Sequence, residues 1–271
     1  MLQLFSEEQI AINAQEKLCA KVAETGISIE RRRDFATYAA IRRAHGDRHL
    51  NQAYDPLHVS FGEGDFWLLA ENDRGQAIAT YCLRRFIVRD FFDLIRSLEL
   101  WFSRPPRQVD PRFAIDCAIP PFGGEVIHGG GLWIREDYRG SSRLAVVMPH
   151  LARALALGDR PFDHDTAMIR NDPGDTAETA ERKAIYMGKR VYGFARVHRF
   201  VNGWFPPEAR NAIMHLCHAT RVEAIASLFA MHAKSADLEF SELRKRPFVY
   251  QDYQSVHPAA VLSQRQQQAS I

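Results

Sequence analysis

Between Glu7 and Glu24, apolar residues at Ile10, Ala14, Leu18 and Val22 recur every four positions, which predicts an amphipathic helix. Ile27 to Ile29 predicts a short strand. Asp34 is placed to cap a helix through Ala44 that carries Phe35, Tyr38, Ile41 and Arg42 along one side. The polar stretch from Gly46 to Gly64 is expected to be a loop, and Phe66 to Glu71, the turn Asn72 to Gly75 and Gln76 to Val88 predict a hairpin. Phe91, Phe92, Ile95, Leu98 and Trp101 recur at helical spacing over Asp90 to Phe102, and a proline cluster follows (Pro105, Pro106, Pro111, Pro120, Pro121). Beyond it lie a strand over Glu125 to Arg135, a helix over Leu144 to Leu157 and a strand over Phe162 to Ile169. A strand, helix, strand succession of this kind predicts a right-handed crossover between parallel neighbours. Thr176 caps a helix to about Tyr186 or Gly188, then come a strand from Arg190 to Val201, a strand from Ala212 to His218 and a helix from Val222 to His232.

The order predicts an α/β fold. At 271 residues, with 46% hydrophobic and 25% charged residues, the chain can bury one substantial core. Residues 1–26 read as an N-terminal helical extension, 27–232 as the main domain, and 233–271 as a C-terminal extension ending in a polar tail. A net charge of +2 gives no ground for nucleic acid as an obligatory partner. The four cysteines are widely spaced, without a C-x-x-C pair, which fits reduced thiols better than a disulfide frame or a zinc site. No run of 18 apolar residues occurs, so a cytoplasmic protein without a membrane span is expected.

The chemistry concentrates between Gly129 and Leu157. Three successive glycines (Gly129, Gly130, Gly131) lie inside a strand, which marks either a bulge with close approach by a ligand or the end of one strand and the start of another; the bulge is the preferred reading. The turn Arg135 to Arg143 is rich in small residues and arginine and leads at once into a helix, so backbone N–H groups and the helix dipole can converge on a phosphate.

This strand, turn and helix resemble the acyl-CoA-binding segment of the GNAT superfamily of N-acyltransferases. The family turn reads Arg or Gln, two free positions, Gly, one free position, then Gly or Ala. Here those places are Arg139, Gly140, Ser141, Ser142, Arg143 and Leu144, so the leading arginine is kept and both later small positions are changed. Leu144 is the larger departure, since its side chain could shade the pyrophosphate. The resemblance implies a mixed, mostly antiparallel central sheet flanked by helices, decorated here by the N-terminal helix, the proline-rich insertion and the C-terminal extension. It implies acetyl-CoA or another acyl-CoA as co-substrate, held by Leu132, Trp133, Ile134 and the six turn residues, and an amine-bearing small molecule or protein as acceptor; a homodimer is left open.

Acyl transfer needs an oxyanion donor, a deprotonated amine and an acid for the leaving thiolate. The bulge amide answers the first need. Glu125 and His128 are the candidate bases, each weighed against a purely structural role, and their relative facing depends on the bulge register. The family's Tyr-x-x-x-Gly-Phe places Lys189 where its tyrosine stands, ahead of Gly193 and Phe194; of the flanking tyrosines, Tyr186 is preferred over Tyr192 as the acid. His215 and His218 fall on opposite faces of their strand, and Ser141 and Ser142 lack a nucleophile elbow, so metal and triad chemistry are set aside. Two rival functions remain: the same fold with an acyl-carrier-protein or long-chain donor, as in acyl-homoserine-lactone and N-acyl-amino-acid synthases, and a non-catalytic binding domain of the same fold.

Overall fold

The computed structural model of the chain describes residues 6–47, 50–105, 114–115, 119–140, 143–170, 174–205 and 210–234. Two units divide the chain, Met1–Ala233 and Lys234–Ile271, and the account below concerns the first. Residues 235–271 of the C-terminal extension lie outside the described residues, as do Pro106, Pro111 and Cys117.

One sheet organises the unit. Its strands are β1 (Ser28–Arg32), β2 (Phe66–Glu71), β3 (Ala77–Val88), β4 (Ala114–Ile115), β5 (Gly124–Ile134), β6 (His164–Arg170), β7 (Arg196–Phe205) and β8 (Arg210–Thr220). Across the sheet they run β1-β2-β3-β5-β6-β8-β7-β4. Among the described residues only β5 and β6 are parallel; every other neighbouring pair is antiparallel. A parallel pair needs a crossover, and α4 (Leu144–Asp159) supplies it.

Alternation splits the apolar residues between two cores. Phe66 and Leu68 of β2, Tyr81 and Leu83 of β3, and Cys217 and Ala219 of β8 pack with Leu18 and Val22 of α1 (Glu7–Ala23), with Leu151 of α4 and with Leu228 of α6 (Arg221–Lys234). Trp67, Leu69, Cys82 and Leu216 face the other way, onto α2 (Phe35–Ala44) and α3 (Phe91–Arg96). Burial on both faces explains why β2 reads as a continuous apolar run rather than an alternating one. The first helix, expected as an extension, buries Ala11, Ala14, Leu18 and Val22 in the same core as α4.

Local signals set most helix starts. Asp34 caps α2 by accepting from Ala36 N at 3.0 Å, and Thr176 caps α5 (Ala177–Ile185) by accepting from Thr179 N at 3.2 Å. The helix expected to Phe102 stops at Arg96, because Leu98 adopts φ +64° and turns the chain. Leu98, Leu100 and Trp101 are still buried, so their spacing reported burial correctly and helix wrongly. The strand expected from Arg190 begins at Arg196, behind a π-helical turn over Tyr186–Val191.

Candidate functional site

The parallel pair carries the site. Val126, Ile127, His128 and Gly129 pair with His164, Asp165, Thr166 and Ala167, and there the pairing stops. β5 runs on to Ile134 and β6 to Arg170, so the two strands part after Gly129 while β5 keeps its other neighbour, with Ile134 opposite Ala79 of β3. An opening in the middle of the sheet results. Within the same stretch Gly130 lies opposite Cys82 and Trp133 opposite Thr80, so Gly131 and Leu132 together oppose Tyr81. This two-against-one count is a β-bulge, and Gly131 at φ +62° is its glycine.

The chain leaves β5 through a short 3-10 turn (Glu136–Tyr138) and enters α4 behind two left-handed residues, Gly140 at φ +78° and Arg143 at φ +58°. Arg143 takes the N-cap position without a side-chain cap bond, and its carbonyl accepts from Val146 N at 2.9 Å and Val147 N at 3.0 Å. Arg139 is exposed, its Nε donating to Ile134 O at 3.0 Å, so its guanidinium stands at the end of β5. Leu144 is buried in the core with α4, and this corrects the expectation that it would shade the turn: only its backbone remains there. Ser141 and Ser142 lie outside the described residues.

Strand order, the single parallel pair that parts half-way, the bulge beside the opening and the arginine turn into the crossover helix now stand together. This is a GNAT-type fold.

No family model matches the chain, and no curated protein matches it. Similar solved structures include a protein provisionally assigned as a phosphinothricin N-acetyltransferase (10% identity, 72% of this chain and 98% of that one, TM-score 0.38). A GCN5-related N-acetyltransferase from Kribbella flavida has 13% identity over 72% of this chain and 98% of that one, with a TM-score of 0.36. A provisionally assigned acetyltransferase from Acinetobacter baylyi ADP1 has 14% identity over 68% of this chain and 70% of that one, with a TM-score of 0.31.

The glycine run of this GNAT-type sheet does something the sequence did not suggest. A Cβ at Gly129 would lie 2.1 Å from the Tyr81 hydroxyl oxygen, one at Gly130 2.6 Å from that of Tyr54, and one at Gly131 2.7 Å from that of Tyr38. All three phenols are buried, Tyr38 and Tyr54 completely. A side chain at Gly130 would therefore strike the ring of Tyr54. Tyr54 comes from a 3-10 turn (Gln52–Tyr54) in the segment expected to be a loop.

The candidate side chains divide by face, since the bulge begins only after Gly130. Glu125 points to the α4 face, paired with Arg85 and with Arg160 Nε at 2.7 Å. It lies five residues before Gly130, about 16 Å along the strand. His128 points to the α2 face, between the rings of Tyr54 and Phe91. Thr166 Oγ1 spends its proton on Ile127 O (2.9 Å), so it accepts at 3.0 Å from His128 Nδ1, which fixes the ring's tautomer. Burial, with the charge of Arg84 added, pushes this imidazole down to about 3, too low for an effective base near neutral pH.

Tyr186 is half-exposed at the end of α5. Tyr192 instead packs on the α4 core together with Leu132 and Ile134. Its carbonyl accepts from Arg153 Nη2 at 3.0 Å, and Arg153 is paired with Asp165 in the core between α4 and β6. Burial pushes the Tyr192 phenol up, so it keeps its proton. Trp133 turns to the α2 face, its ring tilted against that of His45 at 4.6 Å and 5.9 Å from the Arg42 guanidinium. His215, weighed from the sequence only as a metal ligand, faces Ile169 of β6 in register, and its two ring nitrogens have no partner among the described residues. Among those residues, too, no three His, Cys, Asp or Glu side chains gather to hold a metal, and no helix is long and apolar enough to cross a membrane.

Proposed function

We propose that the chain transfers an acyl group from acyl-CoA to an amine acceptor by direct attack on the thioester. The carrying observation is the coincidence of bulge and opening: the Gly131–Leu132 peptide leaves the regular ladder beside Gly130–Ile134, where β6 has moved away. An extended thioester arm running along β5 would meet unpaired strand backbone there. Its pyrophosphate would reach Arg139, Gly140, Arg143 and the first amides of α4, whose positive dipole end and uncapped start suit an anion. Leu144 leaves this cradle open because its side chain is in the core.

In the reaction the amine nitrogen bonds to the acyl carbon, the carbonyl oxygen takes negative charge, and the C–S bond then breaks. The Leu132 N–H stabilises that oxygen. Tyr192, kept protonated by burial and packed on the same core cluster as Leu132 and Ile134, is preferred over half-exposed Tyr186 to give the thiolate its proton. Glu125 is held by two arginines and His128 by Thr166, so both serve the sheet, and the amine sheds its proton to water.

Calorimetric titration with acetyl-CoA and with long-chain acyl-CoA tests the reading. Arg139→Ala should weaken binding about ten-fold to a hundred-fold, as expected for a lost charge-assisted phosphate bond of about 1.5 to 3 kcal/mol. A protein that takes up no acyl-CoA of any length would refute a CoA donor and leave the carrier-protein and non-catalytic rivals.

A further inference from the structure

The Gly131 carbonyl has two side-chain donors outside the sheet ladder. Arg42 Nη1 reaches it at 2.8 Å from α2 and Thr80 Oγ1 at 3.4 Å from β3. The same Nη1 lies 3.2 Å from the Tyr38 hydroxyl, and Nη2 is paired with Asp47. Arg42 is buried among these partners, and its Nε has none among the described residues. A buried guanidinium with one N–H unsatisfied is a poor device for stability alone, because its desolvation is only partly repaid.

We propose that Arg42 is a positioning residue for acyl transfer: by holding the Gly131 carbonyl on the α2 and β3 side, it turns the Leu132 N–H toward the opening between β5 and β6. The inference rests on the acyl-transfer reading. A trans peptide is planar, so its C=O and N–H point in opposite directions. With the oxygen fixed by Arg42 and Thr80, the hydrogen must face away from both. Without such a hold the peptide is free to turn over, because Gly131 at φ +62° has no side chain to resist the change. A flipped peptide would present a carbonyl oxygen where the oxyanion forms, and repulsion would replace stabilisation. Thr80 alone is too distant a donor to prevent it.

The test uses the full chain carrying Arg42→Met, with Arg42→Lys as the conservative variant. Free thiol released from acetyl-CoA in the presence of mixed amines should fall about a hundred-fold in Arg42→Met, the usual loss on removing an oxyanion donor. The Kd for acetyl-CoA should stay within about threefold, because Arg42 is not part of the Arg139 to Leu144 turn. A purely structural role would not separate the two. Added guanidinium should restore part of the turnover of Arg42→Met. Residual dipolar couplings of the Leu132 N–H, with 15N-leucine labelling, report the peptide's orientation directly and should differ between wild type and Arg42→Met. If Arg42→Met fails to fold, Arg42→Lys is read the same way, its ammonium keeping a donor without the planar fork and so giving a smaller loss. Unchanged couplings and turnover with normal acetyl-CoA binding would overturn the inference alone. A wild-type protein that ignores acetyl-CoA would overturn the acyl-transfer reading and take the chemical half of the inference with it.

Discussion

His128 makes the fold sensitive to acid by a predictable amount. Its ring is walled in by Tyr54, Phe91 and Thr166, and its ordinary value of 6.5 falls to about 3 in the folded chain. The unfolded chain therefore binds a proton that the folded chain refuses. The contribution to stability is complete above about pH 6.5 and is lost as pH falls from there toward 3. At pH 5.5 the unfolded state gains about RT ln 11, or about 1.4 kcal/mol, and at pH 7.5 less than about 0.1 kcal/mol. Urea denaturation of wild type and His128→Gln at these two pH values isolates the effect, because all other titrating groups are common to both. Glutamine keeps an amide donor for Thr166 but cannot titrate. Wild type should lose about 1.3 kcal/mol more than the variant between pH 7.5 and 5.5. An equal loss in both proteins would show that the imidazole is open to solvent and that its burial is misjudged. His150, also pushed down to about 3 by burial, should behave alike and add a similar increment.

Three further outcomes can be checked. Gly129→Ala should cost about 1 to 3 kcal/mol by overpacking, and Tyr81→Phe in the same chain should return part of it; additive losses in a denaturation cycle would place Tyr81 elsewhere. Arg153→Ala should cost about 3 to 5 kcal/mol by stranding Asp165 in the core, and a melting temperature equal to wild type would contradict the buried pair. Tyr192→Phe should lower turnover of acetyl-CoA about a hundred-fold at unchanged affinity, whereas full turnover would return the proton-donor role to Tyr186 or to solvent.

The strands other than β4, which lies in the proline-rich insertion where none was expected, were legible because each leaves a local trace. Asp34, Thr176 and the N-D-R-G turn act within a few residues of themselves, and they set α2, α5 and the β2–β3 hairpin where expected. The bulge was legible too, since three glycines in a strand need a reason. The reason itself was not: Tyr38, Tyr54 and Tyr81 lie 48 to 93 positions from the glycines they cover, and only the folded sheet brings them together. The pairing of His164 Nδ1 with His218 Nε2 at 3.0 Å was hidden in the same way. Leu98 misled for a different cause, since burial at helical spacing does not require a helix when one residue takes a left-handed turn. In the site, the arginine turn announced itself, while Arg42 looked like one more residue on the face of a helix.

The parted strands amount to a seam zipped along half its length. Four residue pairs close it from Val126 to Gly129, and past them β5 extends five residues, about 16 Å, with no strand paired on that side among the described residues. A sheet left so is incomplete at its centre, and whatever fills the gap must do so as an extra strand would, with groups that donate and accept at strand spacing. The length of the open part then acts as a ruler. A ligand would be selected first by its extended reach and its amide-like polarity, and only afterwards by what it carries at its tip.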